Sequence, residues 1–214
     1  MFKSSKKIIG YVIHLKTSRI LLALMNNGFL KDMGWINSEL SGLPVDDNNN
    51  PIPWCTYSYI DFITPFLTNK KTMFEFGAGN STLFYAPKVK EVISIDHDKN
   101  WITALKERAL ENVTLSHFDL DSGYTTSIGS YDMLFDFIIV DGRKRVECIK
   151  NSFDKVTNNG VIILDDSERK KYQEGVRFLE EKGFKKIDFW GIAPGYIHNK
   201  CTTVFCKDFN SFLS

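Results

Sequence analysis

Apolar and polar positions along the chain fall into three regimes. Between positions 71 and 164, short runs of Val, Ile, Phe and Leu alternate with stretches whose apolar residues recur at helical spacing. Five strands are predicted: Thr72-Met73-Phe74-Glu75-Phe76, Glu91-Val92-Ile93-Ser94-Ile95-Asp96, Val113-Thr114-Leu115-Ser116, Phe135-Asp136-Phe137-Ile138-Ile139-Val140 and Gly160-Val161-Ile162-Ile163-Leu164. Near-continuous apolar runs belong to strands buried on both faces, which implies a parallel sheet with helices on either side. The intervening helices run from Ser81 until Pro87 stops them, over 101–110 with Leu105 and Ala109 on one side, and past Val140 with Val146, Ile149, Phe153 and Val156 in helical register.

The last quarter changes pattern. A helix is expected over 167–182, ended by Gly183, and then two strands, Lys186-Ile187-Asp188-Phe189-Trp190 and Thr202-Thr203-Val204-Phe205-Cys206, follow with only a Gly/Pro/Asn loop between them. Such a loop lets the pair run antiparallel at the end of the sheet. The expected architecture is α/β, a Rossmann-like, doubly wound, mostly parallel seven-stranded sheet with a reversed C-terminal strand pair.

Upstream, the polar, turn-rich segment from Pro44 to Pro53 cannot be a central strand or a stable helix. It divides a helical N-terminal appendage with its linker, 1–53, from the main domain, 54–214. Thr56 is placed to cap a short aromatic helix over 57–66, with Pro65 near its end. The apolar stretch 8–15 is interrupted by Lys16 and Arg19 before a second run, Ile20 to Met25, so neither reaches the ~20 residues of a spanning helix. No small-residue cleavage site follows them. The first 31 residues carry Lys3, Lys6, Lys7, Lys16, Arg19 and Lys31 and no acid. That asymmetry suits a peripheral contact with an anionic membrane, or a solvated helix packed on its own domain or on a second copy in a homo-oligomer.

Composition narrows the class. With 214 residues, 43% hydrophobic and 25% charged, the chain can build one ordinary globular core. Twenty-seven basic residues against 26 acidic leave a net +1, so no global field recruits nucleic acid. Cys55, Cys148, Cys201 and Cys206 are scattered without a CxxC pair, which argues against a disulfide framework or structural zinc and fits a reducing cytoplasm. Hydrolase and P-loop motifs are absent.

Chemistry concentrates where strands end. Glu75-Phe76-Gly77-Ala78-Gly79-Asn80 turns the first strand into a helix beginning at Ser81, whose early N–H groups are free to meet a ligand that the glycines let approach. Asp96 ends the second strand, 19 residues after Gly77, where a carboxylate accepts hydrogen bonds from ribose hydroxyls. The fourth and fifth strands end in Asp141-Gly142-Arg143-Lys144 and Leu164-Asp165-Asp166-Ser167. In an open parallel sheet both ends lie on the ligand edge, so Asp141, Asp165 and Asp166 should converge. Three carboxylates at one point need a counter-charge, and oxygen ligands suit Mg²⁺ or Ca²⁺, which would activate a substrate hydroxyl. Alternatively, Asp165 and Asp166 cap the next helix or contact substrate or cofactor directly.

Over about Lys71 to Lys207 these motifs resemble the class I S-adenosylmethionine-dependent methyltransferases. The resemblance implies S-adenosyl-L-methionine as cofactor, with Glu75 serving its methionine end, Gly77, Gly79 and Ser81 around it, His97 against the adenine and Asp119 on the adenine amino group. The third glycine of a dinucleotide fingerprint is missing, replaced by Asn80-Ser81-Thr82. Asp141, Lys144 and Asp165 are further similar to the divalent-metal O-methyltransferases of the catechol and caffeoyl-CoA type, which implies Lys144 as general base. Asp166 stands where that pattern has Asn. Trp54 and Tyr57 are candidates to cover the site, and His198 to face the acceptor. The implied reaction is methylation of an oxygen on a small acceptor, such as a sugar or glycan precursor. An NAD(P)-dependent oxidoreductase using the same glycine turn, or a non-enzymatic cofactor-binding module, are the alternatives.

Overall fold

A computed structural model describes residues 15–213 of the protein. Lys3, Lys6 and Lys7 lie outside the described residues, as does most of the 8–15 apolar stretch. Seven strands form one sheet: β1 (Thr72–Phe76), β2 (Glu91–Asp96), β3 (Val113–His117), β4 (Phe135–Val140), β5 (Val156–Asp165), β6 (Lys185–Ala193) and β7 (Tyr196–Cys206). Their order is β3-β2-β1-β4-β5-β7-β6. The first five are mutually parallel, and β7 runs antiparallel to both β5 and β6. This is the Rossmann-like sheet with a reversed final pair that the strand patterns predict.

Nine α-helices accompany it among the described residues: α1 (Leu15–Asn26), α2 (Phe29–Asp32), α3 (Trp35–Ser41), α4 (Tyr57–Ile63), α5 (Asn80–Tyr85), α6 (Lys99–Lys106), α7 (Arg145–Ser152), α8 (Gln173–Glu181) and α9 (Phe209–Leu213). None is long and apolar enough to cross a membrane. Strand alternation splits the core in two. Met73, Phe137, Ile139, Val161, Ile163 and Val204 pack with Tyr59, Ile63 and Tyr85 on one face. Phe74, Phe76, Ile138, Val140, Ile162 and Leu164 meet Cys148, Ile149, Val176 and Leu179 on the other.

Two expected helices are shorter than their patterns. Val156 is not helical: it pairs with Phe135 at the start of β5, because Lys155 already accepts a sheet hydrogen bond from Phe135 N at 2.8 Å. The helix expected from 167 begins only at Gln173, after a single 3₁₀ turn over Lys170–Tyr172. Ser167 is instead tied to β7, its N–H donating to Cys201 O at 3.0 Å and its hydroxyl paired with Thr203 Oγ1 at 2.6 Å. Thr56 does sit at the start of α4, but its hydroxyl donates to Phe189 O rather than capping the helix.

The turn after β1 is pressed against the turn after β4. Gly77 has φ +104°, and a Cβ there would stand 2.7 Å from Gly142 N and 2.8 Å from Gly142 Cα. Both the backbone conformation and the contact demand glycine. Gly77→Ala is expected to lower unfolding free energy by roughly 2–5 kcal/mol, the sum of a left-handed penalty and overpacking against backbone. Denaturant unfolding monitored by circular dichroism measures it.

Candidate functional site

Two cavities lie side by side along the C-terminal edge of the sheet. The first, about 310 Å³, is walled by Gly77, Gly79, Ser81, Asp96, His97 and Trp101, so five of the residues expected around a cofactor converge there. Leu43 and Pro44 of the connector add a wall from the N-terminal side. Asp96 is nearly buried; its Oδ1 accepts from Asp98 N at 2.8 Å, while no hydrogen bond among the described residues reaches Oδ2. His97 Nδ1 lies 3.0 Å from that same Oδ1 but makes no hydrogen bond there. Asn80 donates from Nδ2 to Pro44 O at 2.8 Å, and its buried Oδ1 has no partner. Trp101 is fixed on the wall by its Nε1 donating to Ala78 O at 2.7 Å.

Glu75 is placed differently from its expected role. It points beneath the glycine turn, is fully buried and does not line the cavity. Ser81 Oγ and Thr82 Oγ1 donate to it at 2.5 Å and Ser94 Oγ at 2.6 Å, so one carboxyl group ties α5 to β1 and β2. Burial pushes its pKa up to about 7, against the lowering effect of the three hydroxyls. Two further expected residues are not brought to the cleft. Asp119 is exposed, 3.6 Å from His117 Nε2. Lys144 adopts φ 48° and turns outward, donating to Leu120 O at 2.8 Å and Asp121 Oδ1 at 2.9 Å. A side chain so held is not positioned as the base of a reaction in either cavity.

The second cavity, about 500 Å³, shares Trp54, Asp141, Arg143 and Arg145 with the first. Its remaining wall includes Asp165, Asp166, Glu168, Tyr196, His198 and Lys200. Trp54 and Tyr196 meet edge to face at 5.6 Å; Tyr57, by contrast, is buried in the core.

Asp141, Asp165 and Asp166 do converge, but the protein supplies the counter-charge itself. Arg145 Nη2 donates to Asp141 Oδ1 at 2.8 Å, and Nη1 reaches Asp166 Oδ2 at 3.4 Å. Lys200 Nζ lies 2.6 Å from Asp165 Oδ2 and 3.0 Å from Asp166 Oδ1. Arg169 Nη2 sits 2.9 Å from Asp166 Oδ2, and Thr202 Oγ1 donates to Asp165 Oδ1 at 2.7 Å. Only Asp141 Oδ2 is left without such a partner among the described residues. Ligand-type atoms of Cys55, Asp141 and Asp165 do gather within 4.8 Å of one another. The thiol, however, is held protonated by burial and by Asp165, which makes it a poor donor for a hard cation. The donor set does not fit Mg²⁺. Nor do Asp165 and Asp166 cap a helix, since α8 starts at Gln173.

Sequence reasoning missed Arg145 and Lys200. Arg145 stands four residues after Asp141 in the first turn of a helix, a readable (i, i+4) pair. Lys200 carries no local signal, because only the β5–β7 register, which sets Asp165 opposite Thr202, brings it near. The environment acts on Asp141: burial and Asp165 push its pKa up to about 8, with Arg145 and Lys200 pulling the other way.

No protein family matches the sequence, and no curated protein matches it. Solved structures do share the fold. A Staphylococcus aureus protein assigned as a caffeoyl-CoA O-methyltransferase aligns with TM-score 0.57 and 14% identity, covering 90% of this chain and 99% of its own. Precorrin-6y C5,15-methyltransferase from Geobacter metallireducens gives 0.55 and 18%, covering 78% and 98%. An rRNA methylase from Streptococcus thermophilus gives 0.54 and 18%, covering 68% and 90%. The fold is that of the class I S-adenosylmethionine-dependent methyltransferases.

Two outcomes follow from the buried charges. Glu75 has its folded pKa raised above its ordinary value of 4.5, so the folded state holds the proton longer and stability falls as pH rises from about 4.5 to about 7. The part due to Glu75 is on the order of 3 kcal/mol, and Glu75→Gln should flatten that slope in unfolding measured across the window. Arg145→Met should cost roughly 3–5 kcal/mol in the same assay, because it leaves buried carboxylates without their counter-charge.

Proposed function

We propose that this protein transfers a methyl group from S-adenosylmethionine to an oxygen of a small polar acceptor, with Asp141 as the base and no metal. The observation that carries the reading is the position of Asp141, on the wall common to both cavities with a raised pKa and one unpartnered oxygen. A proton acceptor poised near neutrality belongs where nucleophile and cofactor meet.

The first cavity suits the cofactor's chemistry. Asp96 Oδ2 is free for ribose hydroxyls, and the orphaned Asn80 Oδ1 is an acceptor for an ammonium group. A Cβ at Gly79 would meet only Ser81 Oγ, at 3.9 Å, so the turn leaves room for a ligand. When bound, S-adenosylmethionine supplies a methyl group on a positively charged sulfur. Asp141 takes the acceptor's hydroxyl proton on its unpartnered oxygen while Arg145 holds the other and fixes the carboxylate plane. The adjoining walls of the two cavities hold the reactants together, so proximity supplies much of the rate.

A small acceptor is supported by the size of the second cavity; its four carboxylates, Asp141, Asp165, Asp166 and Glu168, are matched by Arg143, Arg145, Arg169 and Lys200, so its wall offers no excess of positive charge to a nucleic-acid backbone. The Trp54 and Tyr196 rings on its wall suit a sugar or glycan precursor. Against an NAD(P)-dependent oxidoreductase stand the missing third glycine and the reversed β7. A purely cofactor-binding module would have no use for a base in a second cavity.

Titration calorimetry tests the cofactor: S-adenosylhomocysteine should bind and NAD should not, and NAD binding alone would overturn the reading. Asp96→Ala should weaken S-adenosylhomocysteine by about 1.5–3 kcal/mol without loss of fold. In a methyl-transfer assay, rate should climb with pH towards about 8 as Asp141 loses its proton. Asp141→Asn should cut turnover by ~10²–10⁴-fold. Excess chelator and Lys144→Ala should leave turnover unchanged.

A further inference from the structure

No side chain described on helix α1, from Thr17 to Asn26, is buried. Ile20, Leu21, Leu22, Leu24 and Met25 are 53%, 57%, 59%, 46% and 53% exposed. At 3.6 residues per turn these positions cover one arc of about 200°, with Arg19, Ala23 and Asn26 on the opposite side, so the helix leaves a single broad apolar face uncovered. Five neighbouring apolar side chains left in water are a patch, not scattered singletons.

Charge identifies what covers it. The first 31 residues hold six basic side chains and no acidic one, so the remaining 183 carry 21 basic against 26 acidic. The chain is polarised, cationic around α1 and anionic beyond it. Pairing α1 with a second α1 would set one group of cations against another with no acid to offset them. An anionic bilayer supplies both counter-charge and an apolar phase. We infer that α1 docks the protein on the surface of an anionic membrane. The tip of the β6–β7 hairpin is linked to the same N-terminal region, Trp35 Nε1 donating to Tyr196 O at 3.1 Å. There Ile197 is 72% exposed. Docking through α1 therefore brings the acceptor cavity, which Tyr196 lines, towards the membrane surface.

Co-sedimentation of the full chain with vesicles tests the inference. Binding is expected to vesicles of phosphatidylcholine with about 30% phosphatidylglycerol, and not to phosphatidylcholine alone. It should weaken at least tenfold when salt is raised to about 0.5 M, where surface charges are screened. Arg19→Gln and Lys31→Gln should each cost roughly fivefold. Leu21→Glu/Leu24→Glu should abolish binding while the thermal unfolding of the domain is unchanged; Ile197→Glu should weaken it. Equal binding to neutral vesicles, or no binding to either kind, overturns the inference. So does a dimer in solution that Leu21→Glu/Leu24→Glu splits into monomers while vesicles leave the unmodified chain unbound. Each readout is independent of methyl transfer, so failure here leaves the proposed reaction untouched.

Discussion

The guanidinium of Arg145 meets oxygens from two turns at once, and the geometry of the site follows from that planar fork. Nε donates to Gly142 O at 3.0 Å, Nη2 to Asp141 O at 3.0 Å and to Asp141 Oδ1 at 2.8 Å, and Nη1 to Asp165 O and to Asp166 Oδ2. Five hydrogen bonds use the five donors an arginine has. The loops after β4 and β5 are thereby locked to one another, and with them the wall that divides the two cavities. An ammonium on a flexible stem has three donors and no plane, so it would hold the loops at a point rather than along an edge.

Charge balance in the cluster sets its chemistry. Three carboxylates face Arg145, Lys200 and Arg169, yet the pairing is uneven. Asp165 and Asp166 have partners on both oxygens; Asp141 has a partner on one. Burial and the repulsion of Asp165 lift the proton affinity of Asp141, the least-paired acid, into the neutral range. The left-handed backbone at Lys144 and Asp166, φ 48° and 54°, belongs to the same arrangement. Strain in both loops is sustained because the charge network fixes them from outside.

Much of the fold was legible because its strands are short and saturated with β-branched and aromatic residues, so β1, β2 and β4 match their sequence patterns residue for residue. Helix ends were less so: Ser167 left its helix for a hydrogen bond with β7 that no local pattern encodes. For the site, the glycine turn and Asp96 could be read from position alone, since strand ends in a parallel sheet share one edge. Side-chain direction could not. Glu75 alternates with Phe74 and Phe76, which puts it on the face beneath the turn, and Lys144 follows a backbone angle that the sequence does not announce. The gathering of acids was foreseeable; that Lys200, 35 residues after Asp165, would neutralise them was not.

The connector before α4 and the hairpin tip are clasped together across most of the chain. Trp54 Nε1 donates to Pro194 O at 2.8 Å over 140 positions, and Lys200 Nζ to Trp54 O at 3.1 Å over 146. Contacts of such sequence separation close late, after the local ones have formed. During synthesis the glycine turn, Asp96 and Asp141 all leave the ribosome well before residues 194–200. The lining of the first cavity, which ends at Arg145, is thus complete in sequence while the second cavity still lacks Tyr196, His198 and Lys200. A chain clipped ahead of its final hairpin would keep the glycine turn but lose Pro194 and Lys200, and with them both hydrogen bonds that hold Trp54 on the wall common to the two cavities.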